Sequence, residues 1–178
     1  MTDLKGIKGF KVQTLSTDTI ANQAAGGSWA SGGDLNTARR QLASLGIQTA
    51  ALAVGGQPPV TGKTEEYNGT SWTEKNDLNT ARRGLACIGL YTAALAVAGW
   101  TPPATAVVES WDGTSWTEVG DVNLARQTMG SSGTQTAGLV YGGYKEASPN
   151  AVANNELWNV SSWTELGDLK TTKNGIGG

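Results

Sequence analysis

An all-β chain made of repeated four-stranded sheets is what this sequence predicts, and three observations carry the prediction. One module recurs along the chain, its apolar runs are strand length and divided by turn residues, and apolar spacing of helical period is essentially missing. The module opens on an acidic-apolar-Asn element. Asp34-Leu35-Asn36-Thr37-Ala38-Arg39 returns as Asp77-Leu78-Asn79-Thr80-Ala81-Arg82, then as Asp121-Val122-Asn123-Leu124-Ala125-Arg126, and Asp168-Leu169-Lys170 begins a last copy. The spacings are 43, 44 and 47 residues. Each copy closes on a tryptophan preceded by serine, at Trp72, Trp116 and Trp163, and Trp29 stands at the same offset ahead of the first.

Four strands are expected within each copy. In the second they are placed at about 82–89, 91–98, 106–111 and 115–119. The run Ala93-Ala94-Leu95-Ala96-Val97 has no polar alternation, as expected of a strand covered on both faces. Its counterparts end in glycine punctuation: Gly55-Gly56, Ala98-Gly99 and Gly142-Gly143. Asn68-Gly69 and Asp112-Gly113 sit between the last two strands, where a tight hairpin needs residues that accept positive φ. Asn159-Val160 in the third copy predicts a less regular turn there. Four strands per unit of this length is the arithmetic of a β-propeller blade. The repeats are therefore assigned to 34–76, 77–120 and 121–167, with a partial one at 168–178.

The basic strand start, the Ala/Val-rich strand ending in Gly-Gly, and an aromatic (Tyr67, Trp111, Trp158) followed closely by a tryptophan resemble the Kelch repeat over residues 29–178, with a hairpin shorter than the usual Kelch one. The wording of the copies, with NTAR, TQTAALA-type and NGTSWTE or DGTSWTE segments, resembles Kelch-like repeats in structural proteins of tailed bacteriophages, notably those of marine cyanobacteria. That resemblance implies antiparallel Kelch-like propeller blades, a place on the virion after synthesis in the host cytoplasm, and a role in tail fibres or host adhesion. It also implies a homo-oligomer whose partners are other virion proteins or a host cell-surface glycan or protein. A cellular Kelch-type interaction module and a lectin-like glycan-binding propeller are the alternatives.

Composition narrows the chemistry. Thirteen basic residues against fifteen acidic ones give a net charge of -2, which supplies no field for nucleic acid. No run is long and apolar enough to predict membrane insertion, and the first fifteen residues lack the apolar core of a secretory signal. The chain has no histidine, which removes the commonest general base and transition-metal ligand together. Kelch-type copper oxidases need histidine ligands and sialidases an arginine cluster with a tyrosine. The sequence accordingly predicts no enzyme, catalytic residue, metal site or cofactor. The single cysteine, Cys87, lies in an apolar run and predicts a buried, inert thiol.

Two classes of residue are singled out. Trp29, Trp72, Trp116 and Trp163, with Arg39, Arg82 and Arg126 and the glycines Gly55, Gly56, Gly142 and Gly143, are expected to be framework, the tryptophans packing between blades. The arginines recur in phase with Glu65, Glu109 and Glu156, which predicts a repeated ion pair. Glu74, Glu118 and Glu165 are expected on a solvated outer edge. By contrast Trp100 and Tyr144 follow the glycine pair at the position Gln57 holds in the first copy, so they vary where the framework does not. Together with Pro58-Pro59, Pro102-Pro103 and Lys145-Glu146 they are the predicted binding surface, with Trp100 accessible.

Residues 1–28 are expected either to attach the protein to the particle or to complete a composite blade. Residues 1–33 and 168–178 together equal one repeat length, so pairing of the two termini, within one chain or between copies, would close a ring.

Overall fold

In a computed structural model the protein is described over residues 31–147, 150–173 and 175. Among these residues there is no helix; twelve strands form three antiparallel four-stranded sheets. The first sheet holds β1 (Ala43–Ile47), β2 (Ala50–Val54), β3 (Thr64–Tyr67) and β4 (Trp72–Glu74). The second holds β5 (Ala86–Leu90), β6 (Ala93–Trp100), β7 (Ala104–Trp111) and β8 (Trp116–Val119). The third holds β9 (Gly130–Thr134), β10 (Ala137–Tyr141), β11 (Asn155–Trp158) and β12 (Trp163–Glu165). Each sheet is a simple meander, strands in chain order. The sheets meet along their first strands, β1 against β5 and β5 against β9. No ring closes among the described residues, and the attachment or composite-blade roles of residues 1–28, like Trp29, lie outside them.

The outer hairpins explain their own sequence. The side chains of Asn68, Asp112 and Asn159 each accept two backbone N–H groups, two and three residues on, which closes a turn without help from the sheet. The next residue then takes a left-handed φ, +92° at Gly69, +93° at Gly113 and +81° at Val160. The irregular turn expected in the third copy is not found: Trp158 pairs Trp163 as Trp111 pairs Trp116. The asparagine cap enforces the geometry, and Val160 carries a backbone strain that the glycines avoid.

The expected strands of the second copy match in number and order, but the first starts at Ala86 rather than at residue 82. Arg82 and Arg83 belong instead to the crossing between sheets: the Arg82 carbonyl accepts from Gly56 N–H, and Arg83 forms a lone bridge with Trp100.

The core is two layers between sheets. Leu52 and Val54 of the first sheet, with Leu78 and Leu85, pack on Ala94, Ala96, Trp111 and Trp116 of the second. Leu95, Val97 and Val108 of the second, with Val122, pack on Val140, Trp158 and Trp163 of the third. Alternate residues of β6 therefore enter different layers, which is why that strand lacks polar alternation. The paired aromatics lie 5.0 to 5.3 Å apart, centroid to centroid, in all three sheets.

Candidate functional site

The frame is built from a buried ion pair repeated at each sheet. Arg39 Nη2 stands 2.9 Å from Glu65, Arg82 Nη1 2.6 Å from Glu109 and Arg126 Nη1 3.0 Å from Glu156. All six side chains are excluded from solvent. Each glutamate also accepts the backbone N–H of the asparagine three residues before the arginine, at 2.7 Å in every copy. The asparagine amide in turn donates to the carbonyl of the closing tryptophan. Carboxylate and asparagine amide together thus tie the segment entering a sheet to that sheet's third and fourth strands. Burial pulls the Arg39 and Arg126 guanidinium pKa values down, with the glutamate partner opposing. The pairs differ in quality. Arg82 directs Nη1 and Nη2 to Glu109 and the Ala96 carbonyl, whereas no guanidinium nitrogen of Arg126 makes an aligned hydrogen bond among the described residues.

Gly55-Gly56 and Gly142-Gly143 turn the chain out of the second strand, and Ala98-Gly99 bulge β6 at the same place, all with positive φ. The main chain of the second member packs against the crossing segment, and Gly56, Gly99 and Gly143 N–H groups donate to the carbonyls of Arg82, Arg126 and Lys173. The residue that follows is then fixed by a two-residue bridge. Arg40 pairs Gln57, Arg83 pairs Trp100, and Gln127 pairs Tyr144. Gln57, Trp100 and Tyr144 therefore occupy one backbone position at the same end of three sheets.

Their side chains are held differently. The guanidinium of Arg83 lies over the Trp100 ring, 4.0 Å from its centroid, in cation–π geometry. Trp100 Nε1 donates to Glu146 Oε1 at 2.8 Å. Trp100 is accordingly half-buried rather than freely accessible, because Arg83 covers one face and Glu146 takes its polar edge. Arg83 also donates to the amide oxygen of Gln41 at 2.9 Å, and Gln41 accepts from Gln57. Tyr144 accepts from Asn150, and the Lys145 N–H donates to the Asn150 carbonyl, so this pair stems a loop. Arg83 and Gln41 were missed in the sequence, whereas Glu146 belongs to the surface it predicts. The available signal for Arg83 was that it directly follows the framework Arg82, as Arg40 and Gln127 follow Arg39 and Arg126.

Along the first strands runs an open groove of about 750 Å³, lined by Ser44, Leu45, Cys87, Ile88 and Ser131 among others. Desolvation pushes the Cys87 thiol up to about 12, with the charge of Arg82 opposing, so it stays protonated and unreactive at neutral pH. Among the described residues no His/Cys/Asp/Glu cluster is placed to hold a metal ion.

The tryptophans divide. Trp116 and Trp163 are buried between sheets, Trp116 donating to Thr64 Oγ1 of the neighbouring sheet at 3.0 Å. Trp72, expected to be buried in the same way, is half-buried, since no described sheet covers its face; its indole N–H donates to the Gly33 carbonyl. Glu74, Glu118 and Glu165 lie exposed on the outermost strands. Neither a known protein family nor any curated protein matches the chain.

Proposed function

We propose that the protein is a virion structural or appendage protein of a tailed phage, whose sheets are Kelch-like propeller blades and whose loop end binds a host-surface or virion component without turnover. The phage assignment rests on the wording of the repeats. The binding assignment rests on one observation: a single bridged backbone position, set by the same ion-paired frame in three sheets, presents Gln57, Trp100 and Tyr144 in turn. A rigid frame with side chains varied at one end is the arrangement of a recognition surface. A saccharide is favoured among ligands by the half-exposed Trp100 ring with donors and a carboxylate beside it.

Glycan-array and whole-cell binding by Trp100→Ala and Tyr144→Ala variants tests this. Binding should fall about tenfold or more for at least one of them, as for an aromatic anchor, with thermal melts unchanged. Hydrolysis of a bound saccharide, or binding indifferent to both changes, would refute it.

A further inference from the structure

The third sheet ends the described array on a face that repeats, residue for residue, the faces buried between the other sheets. Leu52 and Val54 of the first sheet and Leu95 and Val97 of the second receive the tryptophan pair of the sheet that follows. Their counterparts Leu139 and Tyr141 are half-buried and receive none from the described residues. The rim is more apolar than its equivalents. Where the first sheet carries the ion pair Glu66–Lys75 at 3.2 Å, the third carries Leu157 and Leu166, each 40 % exposed. Asn155 adds an independent sign. It stands where Thr64 accepts the indole N–H of Trp116, and its Oδ1 is shielded from solvent with no hydrogen-bond partner among the described residues. A buried acceptor left unmatched is costly, and a donor brought by a covering surface would relieve it.

The seat for a further repeat is also already formed. Gly175 N–H donates to the Thr128 carbonyl, continuing the series in which Gly84 donates to Gln41 and Thr128 to Gly84. Likewise Leu169 N–H donates to Ala153 as Leu78 does to Gly62 and Val122 to Ala106. We propose that this face takes the first sheet of a second copy, head to tail. The complementary surface is the half-buried Tyr67–Trp72 pair, the counterpart of Trp111–Trp116 and Trp158–Trp163, which fill the two internal interfaces. The incoming copy brings residues 34–41, whose Arg39 and Asn36 are already tied to Glu65, into the place of residues 168–175. Those residues leave the seat on assembly. Because the contact joins unlike faces, it propagates from copy to copy, into a ring where the rotation closes and a filament where it does not.

Sedimentation equilibrium of the full chain should show concentration-dependent association. Leu157→Glu and Leu166→Glu, at exposed positions that leave the fold intact, should each weaken it about tenfold or more. Leu90→Glu, at a still more exposed leucine of the second sheet, should leave it unchanged. Hydrogen exchange should find the Leu169, Lys173 and Gly175 amides losing protection as the copies associate. A chain that stays monomeric would overturn the proposal, and so would association indifferent to both leucine changes or association with those three amides still protected.

Discussion

The second sheet and its two neighbours are written in the same repeat yet live in different surroundings. Six consecutive residues of β6 are buried, while the equivalent strand of the third sheet alternates, with only Gly138 and Val140 buried. Trp116 is 5 % exposed, whereas Trp72 at the same repeat position is half-buried. The difference teaches that in a stacked array burial belongs to the interface rather than to the residue. A repeat cannot bury its own faces, so the same side chain is core in one copy and surface in another.

The largest test of this contrast uses the ion pairs. Glu109→Ala strands Arg82, fully enclosed, and should cost about 3–5 kcal/mol, the range for breaking a buried pair by removing one partner. Glu156→Ala should cost less by about 1 kcal/mol, roughly one hydrogen bond, because Arg126 is close to its carboxylate but not aligned on it. Denaturant melts of both variants settle the order, and equal losses would show that alignment adds nothing to proximity here.

Next come the tryptophans. Trp116→Ala empties a site between two sheets and removes the donor to Thr64, for an expected loss of about 3–5 kcal/mol. Trp72→Ala, on a face that no described sheet covers, should cost about 1–2 kcal/mol, in line with the smaller area withdrawn from water. If the two losses are equal in dilute protein, the first sheet's outer face is covered in solution.

How much of this was legible depends on the range of the interaction. Strand number, hairpin positions and the phase of arginine with glutamate follow from local period and composition, and the structure has all three. What failed depended on groups brought together across sheets. Trp100 reads as a free loop aromatic until Arg83 of the crossing segment, seventeen residues earlier, folds over it. Trp72 reads as core because its equivalents are, and nothing local distinguishes it. The start of β5 was placed too early because arginine and glycine next to an apolar run do not reveal that the chain is still crossing between sheets. The candidate surface was found for a physical reason: three copies of one frame make any departure from it visible.

The smallest expected effect bears on the hairpins. Gly113 in the second sheet and Val160 in the third adopt φ of +93° and +81° under the same side-chain cap, so the backbone asks the same of a glycine and of a β-branched residue. Left-handed backbone at such a residue costs about 1–3 kcal/mol, and Val160, 60 % exposed, recovers little of that by packing. Replacing it by glycine removes the strain but gives the unfolded chain more freedom, which offsets up to about 1 kcal/mol. Val160→Gly should therefore stabilise the protein by about 1 kcal/mol, and Gly113→Val should destabilise it by a similar or larger amount. Paired thermal melts read both signs. A destabilised Val160→Gly would mean that the third hairpin relaxes away from the asparagine-capped geometry in solution, and the irregular turn that its sequence suggests would stand after all.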